Sequence, residues 1–470
     1  MILPAEALTD DRVFDVCIAG SGPAGMTLAL TLAERGRSVL LLEAGGAEFS
    51  ANSQDFYSGE STGDPYFDLD VTRLRQLGGS SNHWGGWCRP FDAIDFEPKA
   101  YSPEAHWPIA RADLDPYLKR ARAILDIDGD FADKLLGTGV QRIGFGFSRP
   151  VTRFSEKYRE TLEISPALLV ALDAALVGVA TEGGRVTHFR VRDSGRRVHT
   201  VSAGRFVLAC GGIENSRLLL HFNAETGGRL VPEAATLGRY WMDHPHFTIG
   251  EALATSSDFS ENREFFALTP KRMRELGVLN CGLRLEPLRR GSGVRKLARD
   301  LACAAPRLGE WVYEQSGRQL VCSRVLRAAW EQEPNPDSRI TLNTDRRDVL
   351  GIPLALLHWQ KTTRDIETVR KTAVEFGAHI ARAGQGRVRL HDWVLENGPW
   401  PENDEIGGHH HMGGTRMSST PERGIVTPDL RLWGQENMYV AGSSVFPSGG
   451  HANPTLTIVQ LTLRLADHLS

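Results

Sequence analysis

At 470 residues the chain is long enough for two or three domains and a large core. Its 41% apolar and 24% charged residues exclude a disordered or fibrous protein, and a net charge of −4 argues against a general nucleic-acid binder. No apolar run reaches the ~18 residues of a membrane span, and the start, MILPAEALTDDRVFD, lacks the basic and apolar segments of an export signal. A cytoplasmic location is therefore expected, with the six scattered cysteines as reduced thiols.

In chain order, residues 14–19 (FDVCIA) are a short apolar run ending at Gly20 and predict a buried strand. Helical periodicity follows over 23–35 through Met26, Leu28, Leu32 and Ala33, and 38–43 (SVLLLE) predicts a second buried strand. Continuous apolar runs suit strands covered on both faces, so these elements make a β-α-β unit. Residues 183–209 predict a strand, a turn and a strand, then another buried strand over 206–209. Residues 289–330 alternate basic and apolar side chains and predict helix, broken near Pro306. Residues 338–359 predict an antiparallel hairpin. The clearest helix is 363–383, with Ile366, Val369, Ala373, Phe376 and Ile380 on one face and Gly384 as its C-terminal cap.

The chemistry concentrates at the two ends. Gly20-Ser-Gly22-Pro-Ala-Gly25 joins the first strand to the first helix, and Glu43 ends the second strand. Such glycines let backbone approach a pyrophosphate, the helix N-terminus favours its charge, and the acid bonds a ribose hydroxyl. An acid here favours FAD or NAD over NADP. The alternative is a Gly-rich turn with an incidental acid. Gly78-Gly79-Ser80-Ser81-Asn82-His83-Trp84-Gly85-Gly86 is either backbone pressed against a flat or anionic ligand or an elaborate turn. Gly211 and Gly212 end a further strand before a helix. The C-terminal stretch holds His409-His410-His411-Met-Gly413-Gly414-Thr-Arg416-Met417, then Gly442-Ser443-Ser444, then Gly449-Gly450-His451-Ala-Asn453-Pro454-Thr455. Consecutive histidine side chains diverge and no Cys or carboxylate cluster accompanies them, so no metal site is expected.

Together these stretches resemble the glucose–methanol–choline (GMC) family of flavin oxidoreductases, closest in motif to pyranose oxidase-like sugar and glycoside oxidoreductases. Gly238-Arg-Tyr-Trp-Met-Asp243-His244-Pro245 is similar to a recurrent family stretch, and Asn335-Pro-Asp-Ser-Arg339-Ile-Thr-Leu342 to the family's hairpin entry. The resemblance implies an α/β (α+β overall) fold. A Rossmann-like FAD-binding domain (1–100, 165–240 and 405–470) is interleaved with a smaller antiparallel-sheet substrate domain (101–164 and 241–404). It implies cofactor contacts at Gly20, Gly22, Gly25, Glu43, Gly79, Ser80, Asn82, His83, Leu176, Gly211, Gly442, Ser443, Pro454 and Thr455. The family's H-x-x-G-x-x-x-M pattern fits His410, Gly413 and Met417, and its second catalytic position fits Asn453. A one-residue slip moves the first role to His411, and His451 rivals Asn453 for the second.

The implied reaction oxidises a CH–OH group of a sugar, glycoside or related alcohol by hydride transfer to flavin N5. His410 takes the hydroxyl proton and Asn453 orients the oxygen. His83 resembles the pyranose oxidase histidine bonded to the flavin 8α-methyl group, so FAD is either covalent through His83 or noncovalent. The electron acceptor is oxygen or an external acceptor, and the motifs do not separate oxidase from dehydrogenase. A non-redox FAD-containing lyase of the same family is the alternative function, and a flavin-binding accessory subunit a third reading. The chain is short for the family, which leaves substrate preference open. Arg289, Arg290, Arg295, Lys296, Arg299 and Arg307 are either a solvated helix face or a docking face for an anionic group.

Overall fold

The computed structural model describes residues 1–137, 139–255, 263–287, 311, 314–315, 321–396, 398–402 and 404–470. The basic stretch 289–307 lies outside the described residues.

Two sheets organise the chain. The first has eight strands. Its parallel part runs Ile2–Pro4, Leu168–Leu172, Val39–Leu42, Val13–Ala19 and Val198–Leu208, with Met438–Val440 on the far side of the last strand. Arg185–Arg192 and Ala175–Glu182 extend it antiparallel. The apolar runs at 14–19 and 39–42 are buried as their composition requires. Helix Pro23–Glu34 packs over them, buried from Ala24 to Leu32, with Pro23 preset at its first turn. Residues 198–208 are one strand rather than two. Its start pairs antiparallel with 185–192, and from Ser202 onward it pairs parallel with 13–19.

The second sheet is antiparallel, in the order Gly386–Leu390, His246–Thr255, Val321–Trp330, Cys281–Pro287, Glu264–Leu268, Val140–Arg142, Lys134–Leu135. Helix Thr363–Arg382 covers one face with Ile366, Val369, Ala373, Phe376 and Ile380, packed with Phe266, Leu283 and Trp330. Residues 321–330 are therefore a strand, not the expected helix. Arg324, Leu326, Ala328 and Trp330 are buried at every second position, the period of a strand. The 339–347/353–359 hairpin forms as expected, and Gly59–Gly63 adds to it in parallel.

Candidate active site

The carboxyl ends of the parallel strands carry Gly20, Glu43, Ala209–Gly211 and Ala441–Gly442, the edge where open α/β sheets bind ligands. They border a cavity of about 480 Å³. Gly20 has φ +103°, and a Cβ there would lie 2.4 Å from the Ala209 oxygen. Gly22 begins helix Pro23–Glu34, and a Cβ there would meet nothing within 4 Å, so its backbone faces open space. Helices Gly211–Glu225 and Thr455–Leu469 start at the same edge, and none of the three has a side-chain cap. Their free N–H groups and positive dipole ends suit a pyrophosphate.

Glu43 is held by three donors: Ser21 Oγ and Ser21 N to one oxygen, and Gly45 N to the other. A carboxylate keeps acceptor capacity beyond these for a ribose hydroxyl. Burial pushes its carboxyl up from the ordinary range. Leu176 and Glu43 line an adjoining slot of about 70 Å³ beside Phe56 and Tyr57. Arg73, only 7% exposed, pairs with Glu214 at 3.1 Å and lies over the Tyr57 ring. Its Nε and Nη1 have no partner among the described residues, although the side chain lines the cavity. Two buried donors without acceptors call for a polar or anionic ligand. The residues present thus fit FAD.

Gly79, Ser80, His83, Gly211, Gly442, Ser443, Pro454 and Thr455 line the cavity. Gly25 and Asn82 do not. A Cβ on Gly25 would lie 1.8 Å from the Gly20 oxygen, so this glycine packs the helix against the strand turn. The Asn82 amide turns inward, donating to the Leu77 oxygen at 2.8 Å and accepting from Ser155 Oγ at 2.9 Å, and braces the Gly78–Gly79 turn.

At the other end of the cavity, His410 Nε2 lies 3.0 Å from Asn453 Nδ2. His410 Nδ1 lies 2.8 Å from His244 Nδ1, and His244 Nε2 lies 3.1 Å from the Gly449 oxygen. A carbonyl only accepts, so His244 carries its proton on Nε2 and accepts at Nδ1. His410 must then donate from Nδ1, which leaves Nε2 as a bare acceptor facing the cavity. Asp243 fixes both backbones, its Oδ1 accepting from His410 N at 2.9 Å and His244 N at 2.7 Å, while Tyr66 donates to Oδ2 at 2.6 Å. Paired backbone bonds between Met242 and Met412 join the two segments. Burial, then the neighbouring His244 and other histidines, hold His410 well below the usual histidine range. Burial lowers His244 to about 4.

Of the rival residues, His411 shares the cavity wall with His410, whereas His451 does not. The His411 ring packs on Trp241, with centroids 5.7 Å apart. His451 is buried against Gly282 and 3.5 Å from Asp92, outside the cavity lining. The His409 ring stands edge-on to Phe67. Among the described residues, no group of three or more His, Cys, Asp and Glu side chains is arranged to hold a metal ion.

Sequence reasoning missed Arg73, Asp243 and His244, and also His246 and Arg284, which line the cavity. The segment 238–245 stood out only as a recurrent stretch. Its polar Asp243-His244 pair, set directly after an apolar Trp-Met, was the available signal.

The FAD binding domain model matches residues 15–61, and the GMC oxidoreductase model matches residues 334–462. The chain is 25% identical to 2-methyl-1,2-propanediol dehydrogenase of Mycolicibacterium austroafricanum, over 97% of this chain and 95% of that one. It is 24% identical to the fructose dehydrogenase large subunit of Gluconobacter japonicus, over 96% and 97%. The structure superposes on pyridoxine 4-oxidase from Mesorbium loti with a TM-score of 0.59 at 16% identity, over 97% and 99% of the two chains. The chain thus carries a GMC oxidoreductase C-terminal domain and an FAD-binding domain, with FAD as its cofactor. It is an FAD-dependent oxidoreductase, and the lyase alternative finds no support in these relatives.

Proposed function

We propose that the protein oxidises a CH–OH group of a sugar, glycoside or related alcohol, with His410 as base and Asn453 as the orienting residue. The observation that carries this reading is the 3.0 Å His410–Asn453 pair at one end of a cavity whose other end is built for a dinucleotide. FAD bound there would supply the hydride acceptor. In the free protein, Asn453 Nδ2–H donates to His410 Nε2. A substrate hydroxyl entering between them donates to Nε2 and accepts from Asn453. His410 then takes the proton, and the Asn453 amide supports the charge developing on oxygen. The names of the relatives, a diol dehydrogenase and a fructose dehydrogenase subunit, favour the same substrate class.

His83 presents an exposed ring at the cavity wall, which supports it as a covalent attachment point for FAD. Acid precipitation tests this: yellow colour should stay with the pellet, and colour released to the supernatant contradicts it. Four described cysteines are unpaired, and no helix among the described residues is long and apolar enough to cross a membrane. The unpaired thiols favour a reducing, cytoplasmic setting. The segments 1–100, 165–240 and 405–470 are proposed as the cofactor domain.

The test is anaerobic addition of alcohols, sugars and glycosides to the holoenzyme. Bleaching of the flavin band by one class names the donor, and air then separates oxidase from dehydrogenase. A band that persists with every donor contradicts the reading.

A further inference from the structure

The wall of the cavity carries an arginine cluster that the proton transfer does not use. On strand Cys281–Pro287, Leu283 and Leu285 point into the core, so Gly282, Arg284 and Glu286 share the opposite face. Arg284 lines the cavity that holds His410 and Asn453. Its cross-strand partners are Phe265 and Arg327. Glu286 is the acid they share. It lies 2.9 Å from Arg263 Nε, 3.3 Å from Arg284 Nε and 2.8 Å from Arg327 Nη1. Among the described residues, one carboxylate therefore faces three guanidiniums, in a chain whose net charge is −4.

Aromatic rings frame this cluster. The Arg263 and Arg284 guanidiniums lie 5.0 and 4.8 Å from the Trp87 ring centroid. Trp87 lines the catalytic cavity and stands edge-on to Phe147 and Phe265. Those two rings line an adjoining open cavity of about 960 Å³, whose described wall holds five basic and three acidic side chains. Burial, then Arg327 and Arg263, lower Arg284 to about 10 against the pull of Glu286. Arg284, with 12% of its side chain exposed, shares its acid with the more exposed Arg263 and Arg327, and a buried charge so thinly paired is costly unless a ligand completes it.

We propose that the substrate carries an anionic substituent, a carboxylate or phosphate ester, which Arg284 and Arg327 bind while Trp87, Phe147 and Phe265 receive its carbon skeleton. The proposal rests on the oxidation reading, since it places this group on the molecule whose hydroxyl meets His410. Guanidinium forks match the planar carboxylate and the phosphate edge alike.

Matched pairs test it: phenyl β-D-glucuronide against phenyl β-D-glucoside, and glucose 6-phosphate against glucose. Each is titrated calorimetrically into the holoenzyme. The anionic member of at least one pair should bind about tenfold or more tighter, and the pair that responds identifies the group. The margin should shrink as salt is raised and narrow in both R284Q and R327Q, with the visible spectrum of each variant confirming bound FAD. Equal affinities in both pairs, no binding by any probe, or a margin untouched by both substitutions overturns the proposal. Bleaching by neutral alcohols without anion preference sinks this inference alone, whereas no bleaching by any donor sinks the oxidation reading beneath it.

Discussion

At the scale of single residues, the site depends on which ring nitrogen holds a proton. The Gly449 carbonyl sets His244, and His244 sets His410, so the bare nitrogen of His410 faces the cavity before any substrate arrives. Because His410 is held well below the usual histidine range, it stays unprotonated at neutral pH, as the proposed base must. The acid limb of the rate–pH profile should therefore fall below pH ~6.5, the ordinary histidine value. The relay gives a sharper prediction. In H244N the amide oxygen takes the place of Nδ1 and can accept from His410. In H244L nothing accepts, and the preferred tautomer is lost. H244L should lose about tenfold or more in the rate of flavin bleaching, with H244N recovering most of it. Equal losses in both variants would reduce His244 to a packing residue.

At the scale of elements, the nucleotide edge was legible because its signals are local. The Gly20–Gly25 turn, the buried run at 39–42 and Glu43 lie within one β-α-β unit, where backbone geometry dictates residue type. Gly25 is a packing position, so G25A should push the helix from the turn and destabilise the protein by about 1–3 kcal/mol in denaturant unfolding. It should lower bound FAD as well. Unchanged stability and flavin content would contradict this placement. Elements were misread where one residue spoiled a period. Residues 323–330 alternate strictly between buried and half-buried, but Arg324 sits on the buried face and hides the strand. Residues 198–208 read as two strands because Ser202–Arg205, where the strand exchanges its antiparallel partner for a parallel one, include no buried residue. The His244 relay was illegible for another reason. It joins residues 166 positions apart through one backbone bridge, which no local pattern reports.

At the scale of the whole molecule, the two sheets enclose a set of buried ionisable groups with opposed responses to acid. Burial lowers His244 to about 4 and His246 to about 3, so between pH ~6.5 and 4 the unfolded chain binds protons at these residues that the folded chain refuses. Their contribution to stability is present above pH ~6.5 and is lost as pH falls. Burial raises Asp365 and Glu405 to about 7, so there the folded chain binds the extra proton and stability is lost as pH rises. The two sets offset each other in the native protein, and a single substitution exposes one of them. In H244N, stability should fall with acid less steeply than in the native chain, by about 1.4 kcal/mol per pH unit between pH ~6.5 and 4. Parallel stability–pH curves would mean His244 is not held neutral by burial.

The proposed chemistry stands or falls with His410 as the base of an alcohol oxidation at one end of an FAD cavity. Anaerobic stopped-flow bleaching with a bleaching alcohol or glycoside donor, native protein against H410A, tests it most directly. H410A should keep its FAD and its visible spectrum but bleach about 10²–10⁴-fold more slowly. An H410A protein that holds FAD and bleaches at the native rate would contradict it.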